Sequence, residues 1–386
     1  MAIYSPQQSA RARVQYWVPS IAAGAVSWIT FLVLGETPLI RASGLALIVV
    51  GMALALRHMG AVLSVVGALA LAFCPAFWAQ TGGAEMLQPL EVIAALAASL
   101  VGGVLVVTLS KQRFAALAVG VIVFGGLFLI AVGTPRSLRM TTLLSAWMLY
   151  LLIDGLFAAN PRPDSPPTGQ LGHQHTYGTL LLLAFGVLND PLFVMFAPAL
   201  LLALFLSGKR MPLPYWLVLL AAVMWGARGL ILLYVDADWW LFSVDMAKSQ
   251  GLTVPFLLAE GWREPSRWLD MITLVNNQFT PIGLLLGLIG LSRLSRWYPP
   301  VGVVLMLAFA TFGLFGLLYF GADASVLLLP LLMLLIVWMT YAVYAFSHWI
   351  RRAVKDRPAA SVLKWLAPAA FLLLPLTLLL RNVTAF

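Results

Sequence analysis

Acidic side chains are scarce in this chain, 14 Asp and Glu in 386 residues, so each one beside an apolar run is a candidate for chemistry. Glu36 and Glu85 both hold such positions. A carboxylate there can take the proton of an attacking hydroxyl or orient it. A phosphate leaving in the same step needs a cation, either a divalent metal ion or an arginine. Arg228 lies inside an apolar run, about six residues or ~9 Å of helix from its outer end. At that depth its planar guanidinium either matches a lipid phosphate or pairs with Asp190. Asp154, near the inner end of another run, reads as the partner of a polar neighbour or as an interfacial charge. His173 and His175 stand two apart in a loop with no third ligand near, so they read as solvated linker residues rather than a metal pair. No P-loop, GxGxxG, HExxH or GxSxG pattern occurs in a supporting context.

These groups sit in a chain that is 62% hydrophobic and only 10% charged, with mean hydropathy +0.97. A soluble domain carries roughly 25% charged residues. This chain cannot cover itself with a polar surface, and in lipid every backbone polar group needs a partner within the chain. The apolar runs are long and do not alternate with polar residues, which predicts helices rather than barrel strands. The class is therefore all-α, a polytopic transmembrane helical bundle of about 13 spans of bilayer length. Expected cores are 15–34, 43–56, 61–79, 90–110, 114–133, 141–158, 176–188, 191–207, 215–234, 279–292, 301–320, 325–346 and 366–380. The single Cys74 excludes an internal disulfide.

Charge orients the bundle. With the N-terminus in the cytoplasm, 15 of the 23 Lys and Arg fall on inner segments, 7 on outer ones, and Arg228 within a span. Positive loops stay inside. The localisation that follows is a multi-pass inner-membrane protein of a bacterial cell. The net charge of +9 is spread over short loops, which argues against nucleic acid as a partner. The polar segment 1–14 leads into a first span, without a small-residue cleavage site after it, so that span reads as retained. Helices 15–158 and 177–386 are separated by a Pro-, Gly- and His-rich inner linker, 159–176. The long outer loop, 235–280, holds a helix start at Pro265. Trp268, Leu269, Ile272 and Val275 share one face there, as in a helix lying flat on the membrane surface. Pro191 marks a tight reversal between two spans.

Residues 74–87, Cys-Pro-Ala-Phe-Trp-Ala-Gln-Thr-Gly-Gly-Ala-Glu-Met-Leu, resemble the second outer loop of GT-C-type membrane glycosyltransferases, in particular bacterial relatives of protein O-mannosyltransferases. Gly186-Val187-Leu188-Asn189-Asp190-Pro191 with Ala197-Pro198 is similar to their short outer reversal. Asn277-Gln278-Phe279 and Tyr319-Phe320-Gly321-Ala322-Asp323 are similar to their last segments. The resemblance implies a protein that transfers or binds a sugar carried on polyprenyl phosphate at the outer leaflet. Glu36 and Glu85 would be the catalytic carboxylates, with Trp78, Gln80, Asn189, Asp190, Arg228 and Asp323 touching substrate. One departure stands out. GT-C enzymes usually carry a catalytic acid in a large first outer loop, whereas here that loop is only about 35–42, with Glu36 its sole carboxylate. The alternative is a non-catalytic relative, either a scaffold for partner membrane subunits or a membrane-lipid binder.

The orientation is tested by single cysteines in a Cys74→Ala background. Those at Lys209 and Arg296 should resist an impermeant thiol reagent in intact cells, and those at Ser266 and Ala322 should react. The opposite labelling pattern would invert the topology.

Overall fold

The structure, a computed structural model, describes residues 6–82, 120, 138–159, 173–208, 211–234, 240–241, 243–249, 251, 255–353 and 365–384. Within these the fold is helical, with turns and three very short strands. The 14 helices are α1 (Pro6–Val33), α2 (Leu39–Leu56), α3 (Ala61–Ala72), α4 (Pro75–Trp78), α5 (Leu138–Ala159), α6 (His173–Asn189), α7 (Ala197–Leu206), α8 (Leu213–Tyr234), α9 (Val244–Ser249), α10 (Pro265–Trp297), α11 (Pro299–Leu318), α12 (Ala324–Leu327), α13 (Leu329–Ala353) and α14 (Leu366–Thr384).

Seven of them, α2, α5, α8, α10, α11, α13 and α14, are long and apolar enough to cross a membrane. That is fewer than the thirteen expected. The expected cores 90–110 and 114–133, like Glu85 and most of the linker, lie outside the described residues. The other cores each fall on a helix, but proline shortens two of them. Pro75 ends the α3 ladder and opens α4 at its N1 position. Pro191 replaces a continuous helix with a 3-10 turn, Pro191–Phe196, ahead of α7. It is the tight reversal expected there.

Helix-end contacts sort the bundle into two ends. At one, Arg41, the turn 73–82, Arg139, Asp190, Gln278, Arg381 and Asn382 meet. At the other, Arg57, His58, Asp154 and His175 meet, with Tyr298 packed on Phe157. Helix α13 is buried along nearly its whole length and forms the axis, with α10, α3, α14 and α11 around it. By contrast α8 is mostly exposed, as a helix facing lipid would be.

Helix α10 changes direction. Arg267 near its start touches the carbonyls at the end of α11, and Gln278 touches Ala76, so both lie at the Arg41 end. Eleven residues of helix rise about 16 Å, so the first half runs across that end of the bundle. At Thr280 the backbone leaves the helical region, at φ 64 and ψ 167, just before Pro281. Proline disfavours helix in the residue before it. The second half then runs down the bundle beside α13. Trp268, Leu269 and Ile272 are exposed, as expected of a surface helix, whereas Val275 turns into the core.

The long loop also holds structure that short strands hide from a sequence reading. β1 (Trp240–Leu241) pairs parallel with β2 (Phe256–Leu258), which pairs antiparallel with β3 (Tyr319–Phe320). This small sheet ties the loop to the end of α11.

The contact between α10 and α13 is close because Gly283, Gly287 and Gly290 lie four and three residues apart, on one face. A Cβ on Gly290 would stand 1.7 Å from the Trp338 carbonyl oxygen, which is backbone and cannot swing away. Small residues at such spacing let helix backbones approach. Gly290→Ala should therefore push the two helices apart and cost about 1–3 kcal/mol. Gly313→Ala on α11, where the nearest atom would be Leu331 Cδ1 at 3.8 Å, should be neutral or stabilising. Thermal unfolding of both variants in one detergent checks the contrast.

Candidate functional site

The turn 73–82 is built from backbone that neighbouring side chains complete. Asn382 Nδ2 donates to Phe73 O at 2.9 Å, and the Ala76 amide donates to Gln278 Oε1 at 2.8 Å. Arg41 Nη1 reaches Gly82 O at 2.8 Å and Thr81 O at 3.3 Å. Arg139 reaches Gly82 O at 3.1 Å and Gln80 O at 3.2 Å. Two guanidinium groups thus converge on one short stretch of carbonyls. Trp78 and Gln80, expected to touch substrate, are buried in the bundle. The Trp78 indole N–H and both amide atoms of Gln80 are enclosed and, among the described residues, without a hydrogen-bond partner.

The other expected site residues are spread around the same end. Asp190 is fully buried and caps the 3-10 turn, its Oδ1 accepting from the Leu192 amide at 3.1 Å and its Oδ2 from the Thr141 hydroxyl at 3.1 Å. Asn189 Nδ2 donates to the same hydroxyl oxygen at 2.9 Å. Both residues thus hold the reversal together. Arg228 does not pair with Asp190. It is exposed on the outward side of α8, its guanidinium 5.7 Å from the centre of the Trp225 ring. Glu36 stands exposed in the turn between α1 and α2 with φ 45, in the left-handed region that most side chains avoid. Glu85 lies outside the described residues. Asp323 is exposed, and its Oδ1 accepts from the Tyr319 hydroxyl at 2.5 Å.

Tyr319, the partner of Asp323, lines a cavity of about 380 Å³ between the start of α10, the end of α11 and the small sheet. Such a volume falls in the range of small-molecule sites. Its wall is a layered stack. The Arg267 guanidinium lies 4.8 Å from the Phe320 ring centre, and Phe320 stacks on its cross-strand partner Phe256 at 4.9 Å and 13°. Arg267 itself is buried and nearly saturated. It donates to Gly316 O at 2.9 Å, Leu317 O at 3.2 Å, Tyr319 O and Asp270 Oδ2 at 3.1 Å. A cation on these carbonyls also offsets the negative end of the α11 dipole. Arg267 therefore shapes the wall and offers little to a ligand. The polar side chains left to face an occupant are the Asp270 carboxylate, which is 61% exposed, and Tyr319, whose hydroxyl is bonded to Asp323. Carboxylates only accept hydrogen bonds, so this cavity suits a ligand rich in hydroxyl donors.

The second polar centre lies at the Arg57 end. Asp154 Oδ1 accepts from Arg57 and meets His58 Nε2 at 2.9 Å, while Oδ2 meets His175 Nε2 at 2.8 Å. His58 also stacks on Phe157 at 4.4 Å. The expectation that Asp154 serves a polar neighbour holds. The expectation for His175 does not, because it belongs to α6 and is bonded to Asp154 rather than solvated in a linker. Arg267, Asp270 and this cluster were missed as sites. A basic Arg57-His58 pair directly after an apolar run was the available signal, but its partner lies 97 residues away.

Asp154→Ala should leave Arg57 without its carboxylate and cost about 2–4 kcal/mol, below the full value for a deeply buried pair because Arg57 is part exposed. Adding Arg57→Met should recover part of the loss. Thermal unfolding of the single and double variants measures the coupling.

Compared with protein-family profiles, with curated proteins and with solved structures, the chain matches none.

Proposed function

We propose that this chain is a GT-C-like membrane protein of about thirteen spans. In this reading its Arg41 end faces the outer side of the inner membrane and binds a sugar carried on polyprenyl phosphate. The observation that carries the reading is the cavity beside α10, walled by the Arg267–Phe320–Phe256 stack and edged by Asp270 and Tyr319. Sugar hydroxyls are donors that the Asp270 carboxylate can accept from. The first half of α10, with Trp268, Leu269 and Ile272 exposed, supplies an apolar surface for a lipid chain next to that cavity. The phosphate falls to Arg228, which forms no ion pair among the described residues and lies on the exposed side of α8. Transfer would in addition use Glu36 or Glu85 as the carboxylate that takes the acceptor proton.

Ligand-induced thermal stabilisation tests the reading, since a ligand stabilises only the state that binds it. The purified protein should be stabilised by a polyprenyl-phosphate sugar, and less by the same lipid without the sugar. Asp270→Asn should weaken the sugar complex about 10-fold or more, the worth of one hydrogen bond to a charged group. It should hold its fold, because the Asp270–Arg267 pair is largely exposed on the Asp270 side. Arg228→Met should weaken both lipids alike. Equal stabilisation by the two lipids in the parent protein would remove the sugar from the proposal.

A further inference from the structure

The Arg57 end carries a second cavity, of about 360 Å³, that the sugar reading leaves unused. It opens between the turn after α2, the start of α3, the last turns of α13 and the first turn of α14. Its polar lining comes from His58, Tyr344, Ser347, His348 and Arg351, and its apolar lining includes Leu63 and Trp365. None of the described lining residues is acidic. His58 is committed to Asp154, and the Ser347 hydroxyl donates to Val343 O at 2.8 Å. The remaining donors are open. Among the described residues the Tyr344 hydroxyl, the His348 ring nitrogens and the Arg351 guanidinium have no hydrogen bond or ion pair, while the His348 ring lies 6.2 Å from that of Trp297.

Three donors facing one cavity without an acceptor are matched by an anion with several acceptor oxygens. Phosphate is the best fit to a guanidinium fork. Asp154, the carboxylate that meets His58, is no competitor, because it is already shared by Arg57, His58 and His175. The cavity also sits at the depth of lipid head groups. It lies where spans α2, α13 and α14 begin or end, with Trp365 exposed at the rim and Arg351 and Arg352 closing α13. Tryptophan marks the membrane–water interface, and basic pockets between spans on the cytoplasmic side hold anionic head groups. The apolar side of the cavity, with Val62 exposed beside Leu63, leaves room for the glycerol and first acyl carbons.

We propose that this cavity binds the phosphate of an anionic phospholipid of the leaflet at the Arg57 end, gripped by Arg351, His348 and Tyr344. The site is separate from the sugar cavity at the opposite end and stands whether or not that cavity binds sugar.

The test uses the full chain in detergent and measures unfolding temperature against added phosphatidylglycerol, phosphatidylcholine with the same acyl chains, and inorganic phosphate. Phosphatidylglycerol should stabilise saturably, with little effect from phosphatidylcholine. Inorganic phosphate at equal concentration should do less, and if it does as much, the site is a phosphate site supplied by the free ion rather than by lipid. Arg351→Gln with His348→Gln should weaken the anionic response about tenfold or more. Arg352→Gln, the neighbouring cation that does not line the cavity, should leave it unchanged. Both positions are at least part exposed, so these variants should fold like the parent. Equal stabilisation by the two lipids, or an undiminished anionic response in the double variant, would overturn the proposal.

Discussion

A carbonyl group at the end of a helix, in apolar surroundings, has no water to accept from, and the chain itself must supply the donor. Arginine meets that need repeatedly at the Arg41 end. Arg41 and Arg139 complete the carbonyls of Gln80, Thr81 and Gly82, and Arg267 completes those of Gly316, Leu317 and Tyr319. Arg381 does the same for Asn277, at 2.9 Å. Each of these bonds joins segments far apart in the chain, so the donors that satisfy helix ends are also what hold separate helices to one another. A guanidinium suits the task because it presents five donors in a rigid fork and keeps its charge.

The same constraint decides which cations are left for ligands. Arg267 lines the cavity beside α10, yet its hydrogens are spent on backbone and on Asp270, so the chemistry offered there is that of acceptors. Arg228 and Arg351 are the reverse case. Among the described residues neither completes a helix end, and both are exposed. The two cavities thus differ in kind, one edged by the Asp270 carboxylate and one by donors, and they lie at opposite ends of the bundle.

Between the ends, packing rather than polarity holds the bundle. Helix α13 contributes an almost continuously buried run, and α10 approaches it through glycines because lipid offers no hydrophobic gain for helix association. The break at Thr280–Pro281 lets one chain segment serve both purposes. Its first half covers the end of the bundle and places Arg267 on α11, and its second half packs along the axis.

The amino-acid sequence alone determined the class of this protein and the rough positions of its helices. Long apolar runs force a helix locally, and prolines at 191 and 265 mark where helices turn or start, whereas the breaks at Pro75 and Pro281 emerged only in the structure. The alternation of inner and outer segments was also legible, since Arg41, Asp190 and Arg381 meet at one end and Arg57 and His175 at the other. The span count was less so, because a run of apolar residues does not say whether a proline divides it into pieces too short to cross. Partner choice was beyond the sequence altogether. Whether Asp190 takes Arg228 or the Thr141 hydroxyl, whether His175 is solvated or bonded to Asp154, and whether Arg267 meets a ligand or three carbonyls depend on which helix ends lie side by side. Helix periodicity is a local property of neighbouring residues. The pairing of charges is a property of distances across the bundle, and only the tertiary structure sets those.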